Sequence, residues 1–399
     1  MSSRRYILRV AMGGALAAMV PGCSGLERGR PVPTGRATHA QVLGLANERF
    51  FPFDDIDSLE REFVAAATRQ LTLRGSRNLA DLDLKLLAVS GGGEDGAFGA
   101  GLLCGWSDQG DRPTFDVVTG VSTGALTAPF AYLGPAYDAQ LRHVYTGITQ
   151  KDVLLERGLT AVFFDDALAD NAPLFKTISQ VLDERMLADI GKGYQAGRLL
   201  LIGTTDLDAQ QPVIWNVGAI AASGNPRALD VIRRILLASA AVPGAFPPTM
   251  FDVTLDGKPY QEMHVDGGAF AQSFLYPAAV TVHRRQRMAA RQPVAHAAAY
   301  VIRNGRLDPH WADVRRQMLG IAGRAISTMI SASGFNDMLR IYNTTRQDGI
   351  DFNLAYIGRD FDLVLPAPFD QGYMRALFEY GYVRGRAGYH WTKRPPFVR

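Results

Sequence analysis

The chain alternates short apolar runs with longer stretches in which apolar residues recur every three or four positions. Residues 85–89 (KLLAV) are a brief apolar run that ends at glycines, which predicts a buried strand. Residues 96–107 follow with helical spacing. A second short run, 115–118 (FDVV), precedes TGVSTG, and 123–133 again reads as a helix. Runs at 198–202, 212–215 and 297–302 predict further strands. Residues 226–240 read as a helix stopped by Pro243, and 311–347 and 371–386 read as mainly helical. Residues 37–75 also look helical, with a start at Asp57-Ser58, where acidic side chains suit the helix dipole. Strands alternating with helices imply an α/β fold, with a mainly parallel sheet covered by helices on both faces.

The amino-terminal pattern is different. Arg4, Arg5 and Arg9 precede an apolar stretch, 10–20, and then Pro21-Gly22-Cys23. That stretch is too short to span a bilayer, which takes about 20 residues, and suits a signal segment. The Ser3-Arg4-Arg5 start resembles a twin-arginine export signal, and Val20-Pro21-Gly22-Cys23 resembles a bacterial lipobox. The expectation is a signal peptide at 1–22 and an exported product that begins at a lipidated Cys23. Several acyl chains there would make a stable membrane anchor. Ser24 after the cysteine points to the outer membrane, facing the periplasm. Residues 24–36, which mix Gly, Pro and Arg, read as a flexible tether. Tether and amino-terminal helices fill 23–84, and a catalytic domain is expected over 85–390.

Composition removes several function classes. With 399 residues, 47% of them hydrophobic and 20% charged, the chain can bury a full core. A net charge of +3 with scattered basic residues gives no footprint for a nucleic-acid partner. There are two cysteines, so a lipidated Cys23 leaves Cys104 without a disulfide partner; its apolar helical setting marks a buried structural thiol. The seven histidines are dispersed, and neither C-x-x-C nor H-E-x-x-H occurs. No metal and no cofactor are expected.

Two glycine motifs carry the chemistry. Gly91, Gly93 and Gly96 have the G-x-G-x-x-G spacing of a dinucleotide-binding turn, but that fold needs an acidic residue at the end of the next strand, where TGVSTG stands instead. Gly120-Val121-Ser122-Thr123-Gly124 is G-x-S-x-G between a strand and a helix, the nucleophile elbow that lifts a serine above a sheet edge. Acyl transfer also needs backbone N–H groups aimed at a developing oxyanion. A glycine-rich loop at a helix start supplies them, with Gly92 and Gly93 the best donors and the N–H of Thr123 a third. Ser122 then needs a base. His264 and Asp266 lie two apart in EMHVDGG and face the same side of a strand.

In four pieces, in this order, the chain resembles the patatin-like phospholipases. They are the loop Gly91-Gly92-Gly93-Glu94-Asp95-Gly96, the elbow Gly120 to Gly124, the segment ASAAVPGAFPP at 238–248, and Asp266-Gly267-Gly268. The resemblance implies a three-layer α/β/α fold and a dyad of Ser122 as nucleophile and Asp266 as proton acceptor, without a catalytic histidine. It makes the loop (Gly91, Gly92, Gly93) the oxyanion hole and membrane lipid acyl esters the substrates. It leaves the oligomeric state open. One departure stands out: many members carry Arg or Lys before the last loop glycine, where this chain has Asp95 after Glu94. Two carboxylates there argue against anionic phospholipids, unless Asp95 points outward as a helix amino-terminal charge. Two other readings stay open on the residues alone. One is a Ser-Asp-His hydrolase using His264, His296 or His390, and the other a non-catalytic lipid-binding envelope lipoprotein.

Overall fold

The computed structural model describes residues 28–156, 166, 167, 169–309, 311–314 and 316–398. The expected signal peptide and Cys23 lie outside them. The strands of the main sheet are β1 (Arg49–Phe50), β2 (Asp83–Val89), β3 (Val117–Val121), β4 (Leu199–Asp206), β5 (Gln211–Asn216), β6 (Thr249–Leu255), β7 (Lys258–Asp266), β8 (His296–Arg303) and β9 (Asp351–Tyr356). The helices used below are α1 (Ile56–Leu73), α2 (Gly96–Gln109), α3 (Thr123–Leu133), α4 (Asp138–Gly147), α5 (Ala172–Val181), α6 (Glu184–Gln195), α7 (Ala228–Ser239), α8 (Met318–Gln347) and α9 (Gln371–Arg386).

The sheet order is β1-β5-β4-β3-β2-β8-β9, with the β6–β7 hairpin joined to β4. From β4 to β9 the strands run parallel. Alternating side chains feed two apolar layers. Leu87 and Val89 of β2 pack with Phe98 of α2, Ala125 of α3 and Phe378 of α9. Leu86 and Ala88 face the opposite way, toward Leu59 of α1 and Met338 of α8. Burial on both faces is why these strands read as unbroken apolar runs. The result is a three-layer α/β/α arrangement, as the sequence leads one to expect.

One topological detail positions the chemistry. β3 covers only the first part of one edge of β4, ending where Val121 lies opposite Gly203. The antiparallel β7 takes over the rest of that edge, with Asp266 opposite Thr204 and His264 opposite Asp206. The other edge of β4 belongs to β5. β3 and β7 therefore meet end to end, and the residue after the first strand faces the last residue of the second.

Several elements differ from expectation. The strand expected at 115–118 lies at Val117–Val121, because Thr119 and Gly120, which look like turn residues, are ladder-paired between Ala88 and Val89 on one side and Leu201 and Ile202 on the other. Within 37–75, only α1 is an α-helix, and its cap is Asp55, which accepts from the Ser58 N–H. The preceding loop is tied by the Glu48 carboxylate, which accepts N–H bonds from Val42, Leu43 and Leu45. From residue 28 onward the expected tether is docked. Arg28 pairs with Asp208 at 2.6 Å, Pro31 bridges to Gln261, and Arg36 pairs with Asp256. The β6 strand buries Thr249, Phe251, Val253 and Leu255 and turns the residues between them outward, as a half-buried strand should, and had no counterpart among the expected elements.

Candidate active site

Ser122 sits on the turn from β3 into α3 with φ 56° and ψ −128°. Such a conformation in a non-glycine residue costs of order 1–3 kcal/mol and survives only where neighbours enforce it. The enforcement is visible. The Ser122 N–H donates to Ser239 Oγ at 3.0 Å, and that hydroxyl donates to Gly203 O at 2.7 Å, so the last turn of α7 pins the elbow to β4. Gly124 packs so tightly that a Cβ would lie 2.2 Å from Val89 O; Gly120 faces the Gly124 carbonyl in the same way. Neither position admits a side chain.

Asp266 ends β7 and is 3% exposed. Its Oδ1 accepts the Gly268 N–H at 2.6 Å, its own N–H donates to Ala241 O, and its carbonyl accepts from Thr205 Oγ1. Gly267 keeps the turn against Gly203. Burial pushes the carboxyl up to about 7, while the Ser122 hydroxyl and the Gly268 N–H favour the ionised form and limit the rise. The hydroxyl is near enough for that effect but outside good hydrogen-bond geometry, and Oδ2 has no partner among the described residues. A carboxylate in this state is a competent base at neutral pH, which one of ordinary pKa near 4 is not.

The glycine loop needs one correction. The Gly91 N–H donates to Gln272 O at 2.9 Å, so it is spent and cannot join an oxyanion hole. The N–H groups of Gly92, Gly93 and Thr123 have no acceptor among the described residues. Gly93 and Thr123 border the same cavity as Ser122. Gly96 opens α2 against the Thr123 side chain, so the amino termini of α2 and α3 converge beside Ser122 and both dipoles favour negative charge there.

Residues that sequence reasoning missed hold this loop. Ser90 Oγ donates to Gly91 O and accepts from the Asn304 N–H and from Arg303 Nη1. Arg303 Nη1 also reaches Gly91 O at 3.0 Å, and Asn304 Nδ2 bonds Ser90 O. A Cβ on Gly92 would lie 2.0 Å from Asn304 O, so the loop backbone rests directly on this support. Arg303 and Asn304 close the expected strand at 297–302; nothing in that strand's pattern ties it to a loop some 210 residues earlier.

Asp95 does not point outward. It makes no cap bond to α2; its Oδ1 accepts from Tyr373 Oη of α9 at 2.7 Å, and Arg303 and Arg306 lie within reach of its charge. Burial raises the pKa of both Asp95 and Glu94. Glu94 borders the cavity at Ser122.

That cavity is lined almost wholly by apolar side chains. Its wall runs from Ser122 along α3 through Leu126 to Phe130, and is closed by apolar residues of α5 and α6 such as Ile178 and Met186. Thr123 to Phe130, seven helical rises, measure about 10 Å. The dimensions and lining suit an acyl chain with its carbonyl carbon at Ser122.

The histidines lie elsewhere. His264 is fully buried, with Nδ1 on Thr204 Oγ1 and Nε2 facing Glu262. Glu262 is also held in a buried pair with Arg49. Asp206, Glu262 and His264 bring ligand atoms within 4.8 Å of one another, but these bonds already occupy the cluster. His296 pairs with Asp83 at the amino ends of the strands, the opposite edge from Ser122. His390 is two residues from Thr392, which bridges to Leu354 on the edge strand β9. Cys104 is buried, and burial pushes its thiol up to about 12.

The patatin-like phospholipase family matches residues 87–279, a span that holds the glycine loop, the elbow, the 238–248 segment and Asp266-Gly267-Gly268. That stretch is thus similar to a family of lipid acyl hydrolases. No curated protein matches it. Among solved structures, the crystal structure of VipD from Legionella pneumophila is similar at 10% identity, covering 77% of this chain and 67% of that one, with a TM-score of 0.30. At that level neither fold nor function follows from the likeness.

Proposed function

We propose that the protein is a serine acyl hydrolase that cleaves fatty-acyl esters of membrane lipids through Ser122 and Asp266. One observation carries the reading: the buried Asp266 carboxyl, at the end of its strand, faces the elbow serine, which stands at the end of an apolar cavity. The Asp266 carboxylate takes the Ser122 proton as Oγ attacks the ester carbonyl. The N–H groups of Gly92 and Gly93, with Thr123, hold the oxyanion. Collapse expels the alcohol, which leaves with the proton from Asp266, and an acyl-serine remains. Water then attacks, gives its proton to Asp266, and the fatty acid departs as Ser122 is reprotonated. Because Glu94 and Asp95 stand at the loop, neutral or zwitterionic esters are the preferred substrates over anionic ones. Export and anchoring to the bacterial outer membrane through Cys23, facing the periplasm, complete the reading.

The test is turnover of short and long p-nitrophenyl acyl esters by wild type, Ser122→Ala and Asp266→Asn. The reading expects both variants to lose at least about a thousandfold, as members of such a unit do. A folded Asp266→Asn that keeps near wild-type turnover overturns the dyad. Replacing His264, His296 or His390 should leave the chemistry unimpaired, and a thousandfold loss at one of them would favour a triad.

A further inference from the structure

The α8 helix is longer than the sheet it covers. Its carboxyl-terminal half follows β9 downward, with Met338 buried and Asp337 accepting the Ser273 N–H. Gly334 lies against Arg303, the last residue of β8, and so marks the carboxyl edge of the sheet. Residues 318–333 project beyond that edge, about 24 Å of helix. From 320 to 333 every described side chain is exposed or half-buried.

This arm is amphipathic. Ile321, Ala322, Ala325, Ile326, Met329 and Ile330 share one half of the helix, and Gly323, Ser327, Thr328 and Ser331 the other. Ile326 is 53% exposed and Met329 69%. Thr328 and Ser331 donate their hydroxyls to the carbonyls of Arg324 and Ser327, so these groups need no water. Between Asp313 and Asp337 the sequence holds no acidic residue and three arginines, 315, 316 and 324. Trp311, 84% exposed, precedes the arm.

The same edge of the sheet carries other exposed apolar groups. Leu363 and Val364 follow β9, and Phe270, just after the Asp266 turn, stacks edge-on against Phe53 at 5.4 Å. The amino-terminal chain leaves here too: Arg28 is bonded to Asp208, two residues past the end of β4. Only residues 24–27 separate it from Cys23, a reach of at most about 18 Å. An acyl anchor on Cys23 would hold this edge, with Ser122 at it, close to a bilayer.

We infer that the 318–333 arm is an interfacial docking helix that lays Ile321, Ile326, Met329 and Ile330 into the surface of a lipid bilayer, with Trp311 at the headgroup level. A stretch that holds arginines and no acidic residue fits an anionic headgroup layer, and the apolar half fits the acyl boundary beneath it. The inference rests on the lipid-hydrolase reading for its purpose, though not for its evidence.

The experiment uses the full chain with its own amino terminus, reconstituted in vesicles of phosphatidylcholine and phosphatidylglycerol. Trp106 and Trp215 are buried and Trp391 is half-buried, so Trp311 is the tryptophan most accessible to lipid. Dibrominated lipid should quench the emission, and Trp311→Phe should abolish that quenching. The Ile326→Asp/Met329→Asp pair, at exposed positions, should weaken quenching about tenfold, while Ser327→Asp, on the polar half, leaves it intact. Turnover of a short soluble ester, read on the same samples, should be equal in all three. Absent quenching in wild type, or quenching that survives the double variant, overturns the inference. So does a concentration-dependent dimer that the double variant abolishes, which would make a second copy the occupant. A change in soluble-ester turnover without a change in quenching would make the arm a lid. If no form turns over the ester, the hydrolase reading fails while the quenching result still decides the docking helix.

Discussion

Replacing Asp266 by Asn should stabilise the fold at alkaline pH and not at acid pH. The carboxyl has an ordinary value of 3.8 and rises to about 7 when folded. The folded chain thus holds this proton more tightly than the unfolded one. Its favourable contribution is complete below pH 3.8, declines as pH rises, and is gone above about 7. At ~1.4 kcal/mol per tenfold change in proton affinity, the full swing is about 4 kcal/mol. Asparagine carries no charge to desolvate. Its Oδ1 can keep the Gly268 N–H, but its Nδ2 must occupy the site of Oδ2, which has no acceptor facing it other than Ser122. That unpaired donor costs about 1–2 kcal/mol at every pH. The net expectation is a variant more stable than wild type by roughly 2–3 kcal/mol at pH 8 and slightly less stable near pH 4. Urea unfolding of the full chain, followed by circular dichroism at intervals from pH 4 to 8.5, measures the difference directly. A constant difference across that range would falsify the argument, because it would mean that the wild-type carboxyl titrates alike in both states.

The same group should govern turnover. For a neutral ester, kcat/KM should climb about tenfold per pH unit below a midpoint near 7 and then level off, since the base must be ionised; a midpoint below 5 would place the base elsewhere. Ser239→Ala removes the acceptor of the Ser122 N–H and the donor to Gly203 O. It should destabilise the fold by about 1–3 kcal/mol and lower kcat far more than it raises KM; an unchanged kcat in a destabilised protein would show that the elbow holds without it. Leu126→Trp fills the cavity one turn along α3 from the nucleophile. Acetyl-ester turnover should stay within a few-fold of wild type while long-chain esters lose roughly 10–200-fold, and equal losses on both would place the acyl chain outside this cavity.

Much of this site was legible in the sequence because its constraints are local. The elbow needs glycines at fixed offsets from Ser122, and Gly120 and Gly124 are there because a side chain would strike backbone carbonyls. The apolar runs located most central strands because both sheet faces are buried. What the pattern could not show depended on distant segments. That Gly91 spends its N–H on Gln272 is a contact across 181 positions, and no motif records it. The end-to-end meeting of β3 and β7 requires knowing that β4 is longer than β3. Asp95 looked like a cap because it precedes a helix; Tyr373, near the start of the last helix, claims it instead.

These long-range contacts also bear on why a carboxylate could serve without a histidine. In a triad the imidazole is the base, and a third group must fix its ring and tautomer. A carboxylate has no tautomer to choose, but it must be desolvated to become basic and must be held in one orientation. Both conditions trace to the strand junction. Asp266 occupies a ladder position opposite Thr204, so its main chain is fixed by the sheet. The Gly268 N–H then fixes Oδ1, which leaves Oδ2 as the one oxygen free to receive a proton. Ser122 is fixed from the other side by Ser239, itself bonded to the β4 carbonyl next to Thr204. The proposed nucleophile and the proposed base are thus both referenced to adjacent residues of β4, Gly203 and Thr204. A shared strand supplies the orientation for which a third side chain is needed elsewhere.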